Sequence, residues 1–190
     1  MSELCKLAEK YGVDKCPQIY HQYTPVYHQL LKSSNPKKLL EIGIGNFKLM
    51  SPIVGQGYLY GASLRMWRDY FPECHIYSCD ILEEVIFQDE RITTQITDQS
   101  SPGSLEEMMN NFKKMDIILD DGSHIEQHQI ISFFTLWKHL NKGGFYIIED
   151  IFRNRLNEMS KLQNHFEDCK LHHVHEHPLD KQGFIVFIKS

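Results

Sequence analysis

The sequence predicts an α/β protein: a Rossmann-like, doubly wound, mostly parallel sheet with helices on both faces and an antiparallel strand pair at its C-terminal end. Three observations carry this expectation. Apolar strand-like runs alternate with amphipathic helical stretches, the pattern of parallel strands joined by crossover helices. The runs themselves, such as "KKLLEI" and "DIILD", are apolar at consecutive positions, as expected where both faces of a strand are covered. Polar and glycine-containing clusters follow these runs, at the strand ends where open α/β sheets bind ligands.

Each element has its own justification. Residues 1–35 read as a helical segment packed on the core, and residues 36–190 as the main domain, the whole forming a single domain. Leu4, Leu7 and Ala8 begin a short helix, and "TPVYHQLLKSS" offers Thr24 as N-cap with Pro25 at the first helical position. "KKLLEIGIG" is a buried strand running into glycines. A long insertion, "NFKLMSPIVGQGYLY", follows it and is a candidate cover for a bound ligand. "GASLRMWRDYFP" puts Leu64, Trp67 and Phe71 on one helical face and stops at Pro72. "HIYSCDI" and "RITTQIT" are strands. "SLEEMMNNF" offers the capping-box pair Ser104 and Glu107, with Leu105, Met108, Met109 and Phe112 on one face. "MDIILDD" is a strand, and "IEQHQIISFFTLWKHL" a helix with Ile130, Phe133, Phe134, Trp137 and Leu140 inward, stopped by Lys142, Gly143 and Gly144. "FYIIEDI" is a strand and "RLNEMSKLQNHF" a helix. "KLHHVHEH" and "GFIVFIKS" flank "PLDKQ" as the terminal antiparallel pair, with His172, His173, His175 and His177 on a solvated edge.

Composition narrows the function classes. A net charge of −5 gives no electrostatic basis for binding nucleic acid. Cys5, Cys16, Cys74, Cys79 and Cys169 are odd in number, scattered and without a C-x-x-C pair, so reduced thiols are expected rather than a zinc cage or disulfide framework. The polar start "MSELCKLAEKYG" has no signal-peptide core, and no run approaches the roughly 18 apolar residues of a membrane span. The expected location is cytoplasmic, with no membrane partner.

The polar residues at strand ends form one series: Glu41 to Gly45, Asp80, Thr97 to Ser100, Asp120 to His124, and Glu149 with Asp150. Gly43 and Gly45 follow the first strand, but the third glycine of a dinucleotide fingerprint is replaced by Lys48; Gly61, Ala62 and Ser63 open the helix only after the insertion. Two glycines also suit a simple tight turn. Asp80 can accept hydrogen bonds from two ribose hydroxyls, and Asp98, in "TDQS" with Gln99, can accept from an adenine amine. Together they suit an adenosine lying across three strand ends. Without a pyrophosphate loop, S-adenosylmethionine fits better than NAD.

The run "LLEIGIG…GASLRMWRDYFPECHIYSCDI…TDQS…DIILDDGSH…GGFYIIEDI", with "KYGVDK…YTPVYHQLL" before it, resembles the class I S-adenosylmethionine-dependent methyltransferases. Within them it is most similar to the metal-dependent sugar O-methyltransferases of the macrocin and mycinamicin type. The resemblance implies a cofactor site using Glu41, Gly43, Gly45, Ser63, Asp80, Asp98, Gln99 and Asp120. It implies a magnesium site at Asp121, Glu149 and Asp150, whose hard oxygen ligands suit that ion. It also implies His124 as general base for a small-molecule hydroxyl acceptor such as a sugar; self-association into a homo-oligomer is left open.

Blander readings stand beside these. Asp121 and His124 can serve a helix start, and Glu149 and Asp150 can be solvated turn residues. His128 and His139 read as helix-surface residues, Trp67 and Trp137 as packing. A binding or regulatory protein that keeps the S-adenosylmethionine pocket without turnover is the alternative function, and an iron-dependent relative the third.

Overall fold

The computed structural model describes residues 1–190. Its eight strands form one sheet: β1 (Lys38–Ile42), β2 (His75–Asp80), β3 (Gln88–Asp89), β4 (Ile92–Ile96), β5 (Met115–Asp120), β6 (Leu140–Phe152), β7 (Cys169–His175) and β8 (Gln182–Lys189). Their spatial order is β3-β4-β2-β1-β5-β6-β8-β7. Strands β4, β2, β1, β5 and β6 run parallel, and β8 and β7 close the far edge antiparallel, as expected from the sequence. Chain order leaves β1 in opposite directions toward β2 and toward β5. That topological switch opens a crevice at the carboxyl ends.

The helices are α1 (Glu3–Tyr11), α2 (Thr24–Leu31), α3 (Phe47–Val54), α4 (Ala62–Tyr70), α5 (Pro102–Phe112), α6 (Glu126–Leu136) and the short α7 (Leu156–Ser160). On one face of the sheet, α1, α2 and α4 bury Leu4, Ala8, Tyr27, Leu64 and Trp67 against Leu39, Ile117, Leu119 and Ile147. On the other, α5, α6 and α7 bury Leu105, Met108, Phe133, Trp137 and Leu156 against Leu40, Ile118, Ile148 and Ile185. Each such aliphatic or aromatic side chain contributes roughly 1.5–3 kcal/mol on leaving water. No helix is long and apolar enough to cross a membrane.

Several local expectations are corrected. Helix α5 begins at Pro102, capped by Ser101, whose hydroxyl accepts from the Ser104 amide; Ser104 lies inside the first turn and its hydroxyl accepts from the Asp98 amide. Proline at the first helical position explains the earlier start. Thr24 is the first residue of α2, and its hydroxyl pairs with the Cys5 thiol rather than capping. Phe134 is 41% exposed, because the inward face of α6 runs through Gln129, Ser132, Phe133 and Leu136. The predicted helix over "RLNEMSKLQNHF" shrinks to α7 followed by a 3-10 turn at Lys161–His165. The insertion after β1 contains α3, no residue of which is buried. The histidines of β7 are not uniformly solvated. A bulge between Leu171 and His173 shifts the pairing with β8, so His173 and His175 turn toward Val186 and Phe184. His175 is buried there, stacked on Phe184, and burial lowers its pKa to about 4.

Candidate active site

Strand parity decides which polar residues meet. On β1, β5 and β6 the residues Leu39, Ile117, Leu119 and Ile147 face the α1/α2/α4 layer. Two residues further along each strand, and so on the same face, stand Glu41, Asp121 and Glu149. Asp120 has the opposite parity, in register with Ile42 and Ile148. It is buried, accepts from the Gln99 side-chain amide at 2.7 Å and is pushed by burial to about 6. The second Gln99 amide atom, its oxygen, accepts from the Ser123 backbone at 2.9 Å. Adjacent aspartates therefore do different work: Asp120 ties down the turn, while Asp121 enters the cleft.

What Asp121 and Glu149 meet there is Lys15. Its ammonium donates to Asp121 Oδ2 and, at 2.5 Å, to Glu149 Oε2. Lys15 is 2% exposed. Burial alone would lower its pKa, but the Asp121 and Glu149 carboxylates overcome this and hold it well above the ordinary lysine value. Burial opposes charge on Asp121 too, yet Lys15 and His124 hold its carboxyl below the usual range. Glu149 is pushed up, by burial first and then by Asp121 and Asp150. Its Oε1 accepts from the Tyr27 hydroxyl at 2.7 Å, and Asp150 Oδ1 accepts from the Tyr23 hydroxyl at 2.8 Å. The helical N-terminal segment thus forms one wall of the site.

The two remaining carboxylate oxygens converge on one ring. His124 Nε2 lies 3.2 Å from Asp121 Oδ1 and 3.4 Å from Asp150 Oδ2. Both His124 and Asp150 hold left-handed backbone conformations, φ 56° and 54°, which cost a non-glycine residue roughly 1–2 kcal/mol. Such strain clusters at functional sites, where neighbouring structure enforces it. Ligand atoms of Asp121, His124 and Asp150 all lie within 4.8 Å of one another. The Asp121 and Asp150 carboxylate oxygens at that spacing suit a divalent cation, with the imidazole beside it. Glu149, by contrast, spends its oxygens on Lys15 and Tyr27.

Burial works against a charged His124, but the hydrogen bond and the charge of Asp121, with Asp150 behind them, raise its pKa to about 9. A value raised on folding stabilises the folded state fully below the ordinary 6.5, and this stabilisation is lost as pH rises through about 9. In chelator-treated protein, nuclear magnetic resonance should show the His124 ring titrating near about 9. A midpoint near 6.5 would mean that the ring does not feel the two aspartates.

A cavity of about 710 Å³ runs from this cluster across the ends of β1, β2 and β4. Of the predicted cofactor residues, Gly43, Gly45, Ser63, Asp80, Asp98 and Gln99 line it; Glu41 and Asp120 lie behind it. Gly43 has φ 97°, and a Cβ there would strike the Asp121 carbonyl. Gly45 has φ 75°, and a Cβ would come within 2.8 Å of the Tyr58 hydroxyl. Asp80 fixes the turn by accepting from the Ile44 amide at 2.9 Å and the Leu82 amide at 3.0 Å. Asp98 accepts from the backbone and hydroxyl of Ser100, which hold its carboxyl below the ordinary value. Leu49, Met50 and Ile53 of α3, with Tyr58, roof the cavity. Its acidic, glycine-cradled half suits an adenosine, and its other half ends at Asp121, His124 and Asp150. Lys15, Tyr23 and Tyr27 were not anticipated from the sequence; the only signal was the match of "KYGVDK…YTPVYHQLL" to the family.

The fold is the Rossmann-like fold of class I methyltransferases. No family model matches the sequence. The chain is 37% identical over 150 residues to an 8-demethyl-8-alpha-L-rhamnosyl tetracenomycin-C 2'-O-methyltransferase of Streptomyces olivaceus, covering 78% of this chain and 37% of that protein. It is likewise 37% identical over 152 residues to demethylmacrocin O-methyltransferase of Streptomyces fradiae, covering 79% and 36%. The solved MycE methyltransferase of the mycinamycin biosynthetic pathway, in complex with Mg, SAH and mycinamycin VI, superimposes with a TM-score of 0.79 at 26% identity, over 99% of this chain and 53% of that one. Over these residues the chain is similar to sugar O-methyltransferases of the macrocin and mycinamicin type. It spans a little over a third of the length of the curated relatives it matches.

Proposed function

We propose that this chain carries an S-adenosylmethionine-dependent, magnesium-assisted O-methyltransferase activity toward a hydroxyl of a sugar or similar small molecule. One observation carries it: a single cavity joins the Gly43–Gly45, Asp80 and Asp98 half to the Asp121, His124 and Asp150 half. Relatives that methylate sugar hydroxyls, and a structural neighbour containing Mg and SAH, support the same reading. In it, residues 36–190 form the methyltransferase domain and residues 1–35 close one side of its cleft.

The roles follow from position. Asp80 and Asp98 take the ribose and adenine, and Gly43 and Gly45 let the cofactor approach the backbone. Gln99 and Asp120 hold the loop that presents Asp121, and Glu41 and Ser63 support β1 and α4 from behind and beside the cofactor. Asp121, Glu149 and Asp150 are the carboxylates that would hold the cation, two of which meet Lys15 in this structure. The bound cation supplies a lowered pKa and a fixed position for the acceptor hydroxyl. The methyl group passes from sulfonium to hydroxyl oxygen, the sulfonium leaves as a thioether, and the hydroxyl proton goes to His124 Nε2. Compensating the Asp121 and Asp150 charges releases the pull that keeps a proton on His124, so the ring is neutral when it must accept one. A reducing, cytoplasmic setting belongs to the same proposal, supported by five free, buried cysteines.

Calorimetry of the intact chain should show S-adenosylmethionine and its demethylated product binding at one site. Asp80→Ala should weaken that binding by about 0.5–3 kcal/mol for each ribose hydrogen bond lost. Binding of NAD in place of S-adenosylmethionine would refute the assignment.

A further inference from the structure

Glu41 stands behind the cavity, and the proposed reaction makes no use of its carboxyl group. Both of its carboxyl oxygens are buried without a hydrogen-bond partner at ordinary distance, and burial pushes the group up to about 8, against the charge of Lys15 and the nearby Ser63 side chain. A buried carboxylate without a partner is costly and calls for an explanation. Lys15 is as deeply buried, and the charges of Asp121, Glu149, Asp14 and Glu41 all favour its ammonium form. Its ammonium touches only Asp121 and Glu149. Strand parity puts Glu41 on the same face of the sheet. It pairs with Leu119 on β5, and Leu119 with Ile147 on β6, one row behind Asp121 and Glu149. Glu41 therefore lies within reach of the field of the ammonium, on the side away from the cleft.

We propose that Lys15 is a two-position internal cation: its ammonium and a divalent ion compete for Asp121 and Glu149, and Glu41 is the berth to which Lys15 withdraws when the divalent ion wins. The inference rests on the divalent-cation reading of the site. It accounts for three features at once. The ammonium stands against two of the three carboxylates the family pattern assigns to the metal. Glu41 is kept buried, with no ion-pair partner, one row behind the two carboxylates that Lys15 holds. The side chain is a lysine, whose flexible stem and compact charge permit such a move, where the planar fork of an arginine would not. Lys15 is in these terms a positioning residue. It keeps the carboxylates from repelling one another, and it sets how tightly the site takes up its ion.

The test is Mg²⁺ titration by calorimetry on the full chain without acceptor, comparing wild type, Lys15→Met and Glu41→Gln, each checked for fold by circular dichroism. Lys15→Met removes the competitor and should tighten Mg²⁺ binding by roughly 10–100-fold, the range that outer partners of a metal site command. Glu41→Gln removes the group that can ionise to receive the ammonium and should weaken Mg²⁺ binding by roughly tenfold, at the low end of that range. A lysine that merely props the site open predicts the reverse: weaker binding in Lys15→Met and no change in Glu41→Gln, and that result overturns the inference while leaving the metal site standing. If Lys15→Met does not fold, Glu41→Gln decides alone, and unchanged affinity overturns the proposal. Failure of all three proteins to bind Mg²⁺ removes the metal reading itself, and the inference with it.

Discussion

Turnover is expected to fall by roughly 10²–10⁴-fold when His124 becomes asparagine, the usual contribution of a positioned general base. Asparagine is the informative substitute. It tolerates the left-handed backbone at this position, φ 56°, where alanine would add strain unrelated to proton transfer. The side chain is 39% exposed, so the core should survive the change, as should affinity for S-adenosylmethionine on the far side of the cavity. Rate and melting temperature belong on the same sample. If the ring serves only the turn before α6, the melting temperature drops and turnover per folded molecule holds. A variant with wild-type turnover would take His124 out of the chemistry.

Removal of the cation should have an effect at least as large. Chelation is expected to abolish turnover, and added Mg²⁺ to restore it, because an unactivated alcohol is a poor nucleophile. Asp150→Asn and Asp121→Asn should each depress turnover far more than S-adenosylmethionine affinity, since their carboxylates gather around His124 and away from Asp80 and Asp98. The two should differ in stability. Asp150 can lose its charge while the Tyr23 hydroxyl keeps an acceptor, whereas Asp121→Asn strips Lys15 of one of its two carboxylates. Undiminished turnover in the presence of a chelator would reduce these carboxylates to structural residues.

The sheet was legible because "KLLEI", "DIILD" and "FYIIED" could be nothing but covered strands, and their carboxyl ends fixed where the polar residues would gather. The division of labour between Asp120 and Asp121 was hidden, because it depends on which face the strand presents to which layer. Lys15 was hidden more deeply. A lone lysine in "KYGVDK" reads as a surface residue, and only closure of the fold brings it against residues 106 and 134 positions away. A one-residue bulge reversed the expected facing of His175, a change that periodicity cannot register. The insertion was legible as a cover, but its helix α3 was not, because none of its residues is buried: it gives no core stripe, only an apolar side toward the cavity.

The separation between Lys15 and Glu149 also bears on how the protein comes into being. A chain emerging from the ribosome completes α1 and α2 long before β6 exists, so Lys15, Tyr23 and Tyr27 must wait for their acidic partners until residues 149 and 150 have been made. Contacts of this span form late, since their closing entropy must be met before they return any energy. Strands and helices can therefore assemble ahead of the cleft. Competence to hold a cation thus waits on the long-range pairing of the Lys15 segment with β6.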